Sequence, residues 1–140
     1  MAKMNAALLR GAYDLRVEEI DVPEIGQDEI LVRMAAVEVG DSDLLYYRNG
    51  PPVDGGFVPG RGSAGEVVGV GADVFDRHVG DRVAVWPVTP CGSCRECASG
   101  AYNRCPDVLS ETCPPFRGTM SEYAAVPAAL VFFQPDFGTS

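Results

Sequence analysis

The chain has 140 residues, of which 46% are hydrophobic, and its 20 acidic and 11 basic side chains give a formal net charge of −9. This length suits one domain with a sizeable core, so residues 1–140 are predicted to form a single domain. The acidic balance disfavours nucleic acid as a partner, and no apolar run approaches the about 20 residues of a membrane span. The N-terminus shows no secretion-signal pattern. We therefore predict a cytoplasmic protein with neither nucleic-acid nor membrane partners.

Short apolar or alternating runs, separated by 16 glycines and 11 prolines, predict strands along most of the chain. In chain order these runs are Asn5–Leu9, Asp14–Ile20, Glu29–Val39, Glu66–Val70, Arg82–Trp86, Met120–Val126 and Leu130–Phe133. A single helical turn is predicted at Ser42–Tyr47, with Ser42 or Asp41 as its N-cap. Because no helical period persists beyond two turns, the sequence predicts a mainly β fold, a small barrel with glycine and proline at its corners.

Four cysteines lie close together in the sequence: Cys91, Cys94, Cys97 and Cys105, with the spacing C-x2-C-x2-C-x7-C. Short C-x2-C steps let the backbone present successive thiolates to one ion, and tetrahedral zinc takes four such ligands. Disulfides are one alternative, although cysteines so close in sequence rarely pair with each other. An iron–sulfur cluster is another, because Cys105-Pro106 is similar to the end of bacterial ferredoxin motifs, whose last gap is shorter.

The ligand set predicts what a zinc ion would do here. A catalytic zinc keeps one coordination position open for water or substrate, whereas four cysteines close the coordination sphere. We therefore predict a structural zinc that holds the loop Cys91–Cys105 together and takes no part in chemistry.

A glycine motif lies shortly before the middle of the chain: Gly60-Arg61-Gly62-Ser63-Ala64-Gly65 matches G-x-G-x-x-G. A dinucleotide-binding fingerprint needs a strand before this motif and a helix after it. The residues that follow, Glu66–Gly71, are β-branched and broken by glycine, which makes a poor helix. We interpret the motif as a tight barrel turn and predict no dinucleotide site.

Taken together, these motifs resemble the N-terminal, GroES-like catalytic domain of zinc-containing medium-chain alcohol dehydrogenases, especially the polyol (sorbitol and xylitol) dehydrogenase branch. The resemblance runs from Asn5 to about Asp136. It rests on Leu15–Glu19, Asp28–Arg33, Ser42–Tyr47, Val79–Val83, the four-cysteine loop and Ser121–Ala124. It implies a GroES-like, partly open β-barrel with short helical turns and a zinc-binding loop, in which Cys91, Cys94, Cys97 and Cys105 bind structural Zn2+.

The resemblance also implies a catalytic zinc, and at that position the sequence departs from the family. Gly40 stands where the family has a zinc-ligating cysteine, and Gly60-Arg61-Gly62 replaces the family's Gly-His-Glu, which supplies the ligand histidine. Leu45 replaces a frequent proton-relay histidine, so only the relay hydroxyl, Ser42, is kept as a catalytic candidate. Because glycine has no ligating side chain and Arg61 is permanently charged, we predict that the catalytic zinc is absent.

Two further ligand-type residues lie outside these motifs. His78, the sole histidine, stands where the family has a surface turn, and we predict that it ligates no metal. Cys113 is the fifth cysteine and is predicted to be a partly buried thiol that binds no metal.

The family's Rossmann domain lies beyond the matched region, and none is predicted within residues 1–140. A C-terminal segment that completes the family's barrel lies beyond it too, and a barrel without that segment exposes apolar surface or a strand edge. We expect a homodimer contact or a partner chain to cover this edge.

The sequence thus favours a stand-alone or truncated domain that binds one structural zinc and is not catalytic alone. The alternative is an oxidoreductase acting on an alcohol, polyol or carbonyl substrate, with NAD(P) supplied by a separate domain. In that alternative Ser42 or Tyr46 donates a proton and Arg61 holds an oxyanion. A third interpretation is a small-ligand or metal-responsive protein.

Overall fold

The computed structural model describes residues 2–51, 56–60, 62–85, 93–101, 104–106, 118–128 and 131–133, without the side chains of Ser42, Phe132 and Phe133. Within these ranges the chain is built mainly of strands, as the sequence predicts. The elements are β1 Lys3–Gly11, β2 Asp14–Asp21, β3 Glu29–Val37, α1 Asp41–Asn49, β4 Ser63–Val70, β5 Arg82–Val85, α2 Arg95–Ala98, β6 Tyr123–Pro127 and β7 Val131–Phe133. Neither described helix is long and apolar enough to cross a membrane.

The strands form two antiparallel sheets. β1 pairs with β2 in a hairpin, and the other five strands form a sheet in the order β6-β3-β4-β5-β7. Main-chain hydrogen bonds join the hairpin to loops of the larger sheet: Leu9 and Phe57 exchange N–H···O bonds of 2.8 and 3.1 Å, and the Ala7 N–H donates to Met120 O at 2.8 Å. The described strands do not close into a ring, so the prediction of a partly open barrel is confirmed.

The core lies on one face of the larger sheet and is built of β-branched side chains. Val32 of β3, Val67 of β4 and Val83 of β5 are each 0% exposed. They share one cluster with Val126 and Val131 from the two edge strands. Each such side chain stabilises the fold by about 1.5–3 kcal/mol when it is fully buried. The side chains that point to this face of each short strand therefore stabilise the sheet.

The close approach of β3 to β4 depends on a glycine. A Cβ placed on Gly65 would overlap the carbonyl oxygen of Arg33 and lie 2.7 Å from Cγ1 of Val32. Gly69, in the same strand, has its nearest neighbour at 3.5 Å, the Cβ of Leu31, which is an ordinary contact. Gly65 is therefore required by strand packing and Gly69 is not.

The helix α1 differs from its prediction at both ends. Its N-cap is Gly40, with extended backbone (φ −101°, ψ 177°), and not Ser42 or Asp41. The reason is that the Gly40 N–H donates to Oδ2 of Asp43 at 2.9 Å, so the third helical residue caps the helix. The helix then runs to Asn49, beyond the single predicted turn, and ends at Gly50 with φ 100°.

Aromatic contacts explain why α1 is longer than its sequence pattern indicates. The rings of Tyr46 and Phe57 pack edge to face with centroids 5.4 Å apart, and Tyr13 and Tyr47 do the same at 5.2 Å. These contacts attach the last turns of the helix to the rest of the domain, and packing of this kind stabilises short helices more than intrinsic propensity does.

Other element boundaries shift by a few residues. β3 ends at Val37 and not Val39, and β6 begins at Tyr123 and not Met120, because Ser121 makes only an isolated bridge to Ala6. The predicted strand ends Trp86 and Leu130 lie outside the described residues. Ser63, Ala64 and Gly65 of the glycine motif belong to strand β4 and not to the predicted tight turn. No helix follows the motif, as predicted.

Asp43 anchors the start of α1 to the segment before β4. Its side chain is buried, with 7% of the residue exposed. Besides the Gly40 N–H, its carboxylate accepts the Gly60 N–H through Oδ1 at 2.9 Å. Both oxygens therefore hold backbone donors from two segments that are distant in sequence.

The packing of Gly65 predicts that Gly65→Ala lowers the free energy of unfolding by about 1–3 kcal/mol, the usual cost of overpacking a well-packed interior. Urea denaturation followed by circular dichroism measures this loss. Gly69→Ala is the matched control and is expected to change stability by less than about 1 kcal/mol. Equal effects of the two substitutions would contradict the assignment.

The two hydrogen bonds that the Asp43 carboxylate accepts predict a second effect on stability. Asp43→Asn leaves one acceptor oxygen and turns an amide donor toward a backbone N–H, so we expect a loss of about 1–3 kcal/mol. Asp41→Asn removes an exposed charge from the same helical turn and should cost no more than about 1 kcal/mol. Urea denaturation gives both values, and faster hydrogen exchange at the Gly60 amide in Asp43→Asn alone would identify the lost bond.

Candidate metal centre

Three of the four predicted zinc ligands lie together. The sulfur atoms of Cys94, Cys97 and Cys105 are all within 4.8 Å of one another. Cys97 and Cys105 are buried, with 5% and 6% of each residue exposed. Cys91 lies outside the described residues, so its position relative to the other three stays a prediction.

Local backbone structure brings these sulfur atoms together. Cys94 is the N-cap of α2, and its Sγ accepts the Cys97 N–H at 3.4 Å, which places both thiols on one side of the short helix. After α2 the chain turns at Gly100, whose φ of 83° suits glycine, and the Gly100 N–H donates to Cys97 O at 3.0 Å. After this turn, the sulfur atom of Cys105 lies beside those of Cys94 and Cys97.

The sulfur separation fits a tetrahedral ion. Sγ of Cys94 lies 3.7 Å from Sγ of Cys105. A tetrahedron with metal–sulfur distances of about 2.3 Å has sulfur–sulfur edges of about 3.8 Å, whereas a disulfide bond is about 2.05 Å long. The distance is therefore that of two ligands of one ion, and a set of thiolates is a donor set that zinc prefers.

The position predicted for a catalytic zinc is called here the catalytic-zinc position and comprises Gly40, Arg61 and Gly62; the structure describes Gly40 and Gly62 but not Arg61. In the part of the chain that the structure describes, the three cysteines form the only group of three or more Cys, His, Asp or Glu side chains at metal-binding spacing. Gly40 and Gly62 offer no donor side chain, and both oxygens of Asp43 already accept backbone N–H groups. The described residues at this position therefore do not fit a catalytic zinc.

The structure describes only some of the other residues that the sequence predicts for a site. Ser42 lies in the first turn of α1, but its side chain is outside the described residues, as are Arg61 and Cys113. Leu45 lies on α1 with 54% of the residue exposed. His78 is in an exposed turn, where its backbone N–H donates to Oδ2 of Asp81 at 2.8 Å. It belongs to no metal-binding group among the described residues, and the predicted surface turn is confirmed.

A cavity of about 240 Å³ lies between the hairpin and α1. Its lining is almost wholly apolar and comprises Leu9, Leu15, Val39, Asp43, Leu44, Tyr47, Pro59 and Met120. The cavity opens to solvent beside Val39 and Leu15, which are 63% and 46% exposed. Sequence reasoning did not locate it, because its walls come from segments that are far apart in the chain.

The role of Asp43 was also missed. In the sequence, Ser42 is a candidate because of its hydroxyl. The only sequence signal for the Asp43 carboxylate is its place in the first turn of a predicted helix. Its bond to Gly60 is a tertiary contact that no local pattern contains.

Comparison with known proteins agrees with this geometry. Residues 26–136 match the sequence family described as "Alcohol dehydrogenase GroES-like domain". The chain is 40% identical over 137 residues to a sorbitol dehydrogenase of Bacillus subtilis, covering 95% of this chain and 39% of that protein. It is 44% identical over 109 residues to a sorbitol dehydrogenase of Bombyx mori, covering 75% of this chain and 31% of the other.

A solved structure gives the same result. The crystal structure of galactitol-1-phosphate dehydrogenase from Escherichia coli superposes with a TM-score of 0.84 at 32% identity, covering 96% of this chain and 39% of that one. The chain thus spans about two fifths or less of the length of these relatives. Fold, cysteine geometry and sequence together show that the chain belongs to the GroES-like domain family of the zinc-type alcohol dehydrogenases.

Proposed function

We propose that this chain is an alcohol dehydrogenase-type GroES-like domain that binds one structural zinc through Cys91, Cys94, Cys97 and Cys105 and does not catalyse on its own. The observation that carries the proposal is the Cys94–Cys105 sulfur separation of 3.7 Å within a three-cysteine group. With Cys91 as the fourth thiolate the coordination sphere is closed, so this ion has no open position for a substrate.

The zinc acts on the loop between β5 and β6. The described part of this loop contains only a helix of four residues, Arg95–Ala98. Zinc bound by such thiolates contributes about 10–16 kcal/mol in small zinc-folded peptides, and that binding is coupled to folding. The ion therefore orders a loop with little regular structure. A reducing cytoplasm suits this role, because the thiols there stay available to the metal.

The absence of catalysis is supported by the catalytic-zinc position. Gly40 and Gly62 bring no metal donor, and the carboxylate of Asp43 serves the backbone. An ion that polarises a substrate oxygen needs ligands of its own at that place.

We further propose that a second copy of the chain or a partner chain covers the apolar surface beside the hairpin. Support comes from the cavity between the hairpin and α1 and from exposed neighbours on the same elements. Val17 is 77% exposed on β2, and Leu44 and Leu45 are 43% and 54% exposed on α1. Apolar surface of this kind often marks an interaction site.

The second candidate function is an oxidoreductase that works with a separate NAD(P)-binding domain. It is favoured by the 40% identity to a sorbitol dehydrogenase. Ser42, in the first turn of α1, or Tyr46 would then donate a proton to an alcohol, polyol or carbonyl substrate, and Arg61 would stabilise an oxyanion.

Native mass spectrometry of the purified chain tests the zinc and the assembly together. We expect one zinc per chain and a mass above that of the monomer. Cys97→Ser removes a buried ligand and should reduce the bound zinc to well below one per chain, with loss of stability. Cys113→Ser is the matched control and should keep one zinc. Two zincs per chain, or full zinc in Cys97→Ser, would contradict the proposed site, and a monomer at high concentration would contradict the partner surface.

Titration with NADH tests whether the chain binds a nicotinamide cofactor by itself. Without a cofactor-binding domain we expect no saturable quenching of Trp86 fluorescence below about 1 mM NADH, after correction with N-acetyltryptophanamide for absorbed light. Saturation at micromolar NADH would overturn the expectation that the chain has no dinucleotide site, whatever the zinc count.

A further inference from the structure

The outer strand of the hairpin, β2, has one open edge in the part of the chain that the structure describes. β2 pairs with β1 alone, and no described strand lies on its other side. The two strands keep a regular antiparallel register from Lys3 opposite Asp21 to Leu9 opposite Leu15, and the register shifts only beyond Leu9. An open edge of this length is a template for pairing with another strand.

The hydrogen bonds of the hairpin show which residues of β2 direct their main-chain groups toward this edge. In an antiparallel pair, opposite residues alternate between pairs that exchange hydrogen bonds and pairs that do not. The Val22 N–H donates to Ala2 O at 3.0 Å, so Val22 and every second residue before it direct these groups toward β1. The residues between them direct their N–H and C=O groups outward: Leu15, Val17, Glu19 and Asp21.

The bonds of β1 agree with this alternation. Ala7 lies opposite Val17, and its N–H donates away from β2, to Met120 O at 2.8 Å. Leu9 likewise exchanges two hydrogen bonds with Phe57 on that side. On β2 the outward groups meet no hydrogen-bond partner among the described residues, and Val17 is 77% exposed. The hairpin is therefore bonded along its inner edge and open along its outer edge.

We propose that a second copy of this chain adds its β2 to this edge, antiparallel to the first and related to it by a two-fold axis at Val17. The proposal rests on the proposed function, in which a second copy or a partner chain covers apolar surface beside the hairpin, and it specifies the occupant and the register. The two Val17 residues then exchange main-chain hydrogen bonds, and Leu15 of each copy does the same with Glu19 of the other.

The charges of β2 select both the second copy and this register. Arg16 and Glu18 flank Val17 in the strand. A two-fold axis at Val17 places Arg16 of each copy opposite Glu18 of the other, which gives two pairs of opposite charge. A shift of the axis by one residue in either direction would instead place two Arg16 or two Glu18 side chains directly opposite each other, and like charges in that position destabilise pairing.

The ion pairs within each chain extend this pattern. Arg16 binds Asp14 at 2.8 Å and Glu18 binds Arg10 at 2.8 Å, and all four side chains are partly exposed. A guanidinium has several donors and a carboxylate has several acceptor sites, so each can hold a second partner. Pairing about Val17 therefore joins the two ion pairs of each copy to those of the other in rows of alternating charge.

Charge reversal tests the register, with native mass spectrometry of a dilution series as the measurement. Each chain carries a net charge of −9, so the buffer contains about 0.15 M ammonium acetate to screen repulsion. Arg16→Glu and Glu18→Arg each create two like-charge pairs across the axis, and each variant alone should dimerise about tenfold more weakly than the unsubstituted chain. Glu24→Arg, an equal charge change outside the strand, is the matched control and should weaken dimerisation by no more than about twofold.

Mixing the two variants provides the decisive comparison. Arg16→Glu in one copy and Glu18→Arg in the other restore opposite charges at both contacts, so a mixed dimer should form with an affinity within about threefold of the unsubstituted dimer. A variant that had lost its fold would not recover in this way. A monomeric unsubstituted chain at about 0.1 mM, full dimerisation of either variant alone, or no mixed dimer would overturn the proposal.

Amide hydrogen exchange tests the main-chain pairing without any substitution. The amides of Leu15, Val17 and Glu19 should exchange at least about tenfold more slowly in the dimer than after dilution to the monomer. The Asp21 amide also points outward but lies beyond the paired stretch, so its exchange should be fast in both states. Protection of Asp21 in the dimer, or no dependence on concentration at Val17, would contradict the register.

The zinc count in the same spectra keeps the two proposals separate. One zinc per chain in a protein that does not pair through β2 would refute this inference and leave the structural-zinc assignment standing. A dimer that responds to the charge reversals as expected but holds no zinc would refute that assignment and support the pairing of β2.

Discussion

The antiparallel pairing of β3 with β4 is the constraint on which the rest of the domain depends. It requires Gly65, since a larger residue would collide with the neighbouring strand, and it places Val32 and Val67 in the centre of the core. Because the pairing continues to Glu38 and Gly62, it also sets the distance between the segment after β3 and the segment before β4. The spacing of the described segments at the catalytic-zinc position is therefore a consequence of core packing.

The cysteine group and the catalytic-zinc position differ in how far apart their residues lie along the chain. The cysteine loop takes its described ligands from within one short stretch, Cys94–Cys105, and a turn of α2 is enough to bring two of them together. The catalytic-zinc position lies between the segment after β3 and the segment before β4, which are held together by the sheet and by Asp43. Gly40 and Gly62 offer no donor side chain at this position, and the hydrogen bonds that join the two segments are present. A chain of this kind can therefore keep the cysteine group while Gly40 and Gly62 offer no metal donor.

Sequence patterns located the described strands to within a few residues and assigned the mainly β class, because alternation of buried and exposed side chains is a local property. The cysteine group was predicted for the same reason, since C-x2-C spacing is satisfied within a single turn. The length of α1 was underestimated, because its later turns are stabilised by contacts of Tyr46 with Phe57 and of Tyr47 with Tyr13. Its N-cap was misplaced because Asp43 reaches back to Gly40 from inside the helix.

By itself, the sequence determined the fold class, the strand over Glu66–Val70 and the grouping of Cys94, Cys97 and Cys105, all of which follow from neighbours within a few residues. Only the tertiary structure decided the sheet order, the bond between Asp43 and Gly60 and the hydrogen bond from Glu38 to Gly62. The Asp43–Gly60 bond, for example, joins residues 17 positions apart. Such contacts form only when the whole sheet packs, so no local pattern could contain them.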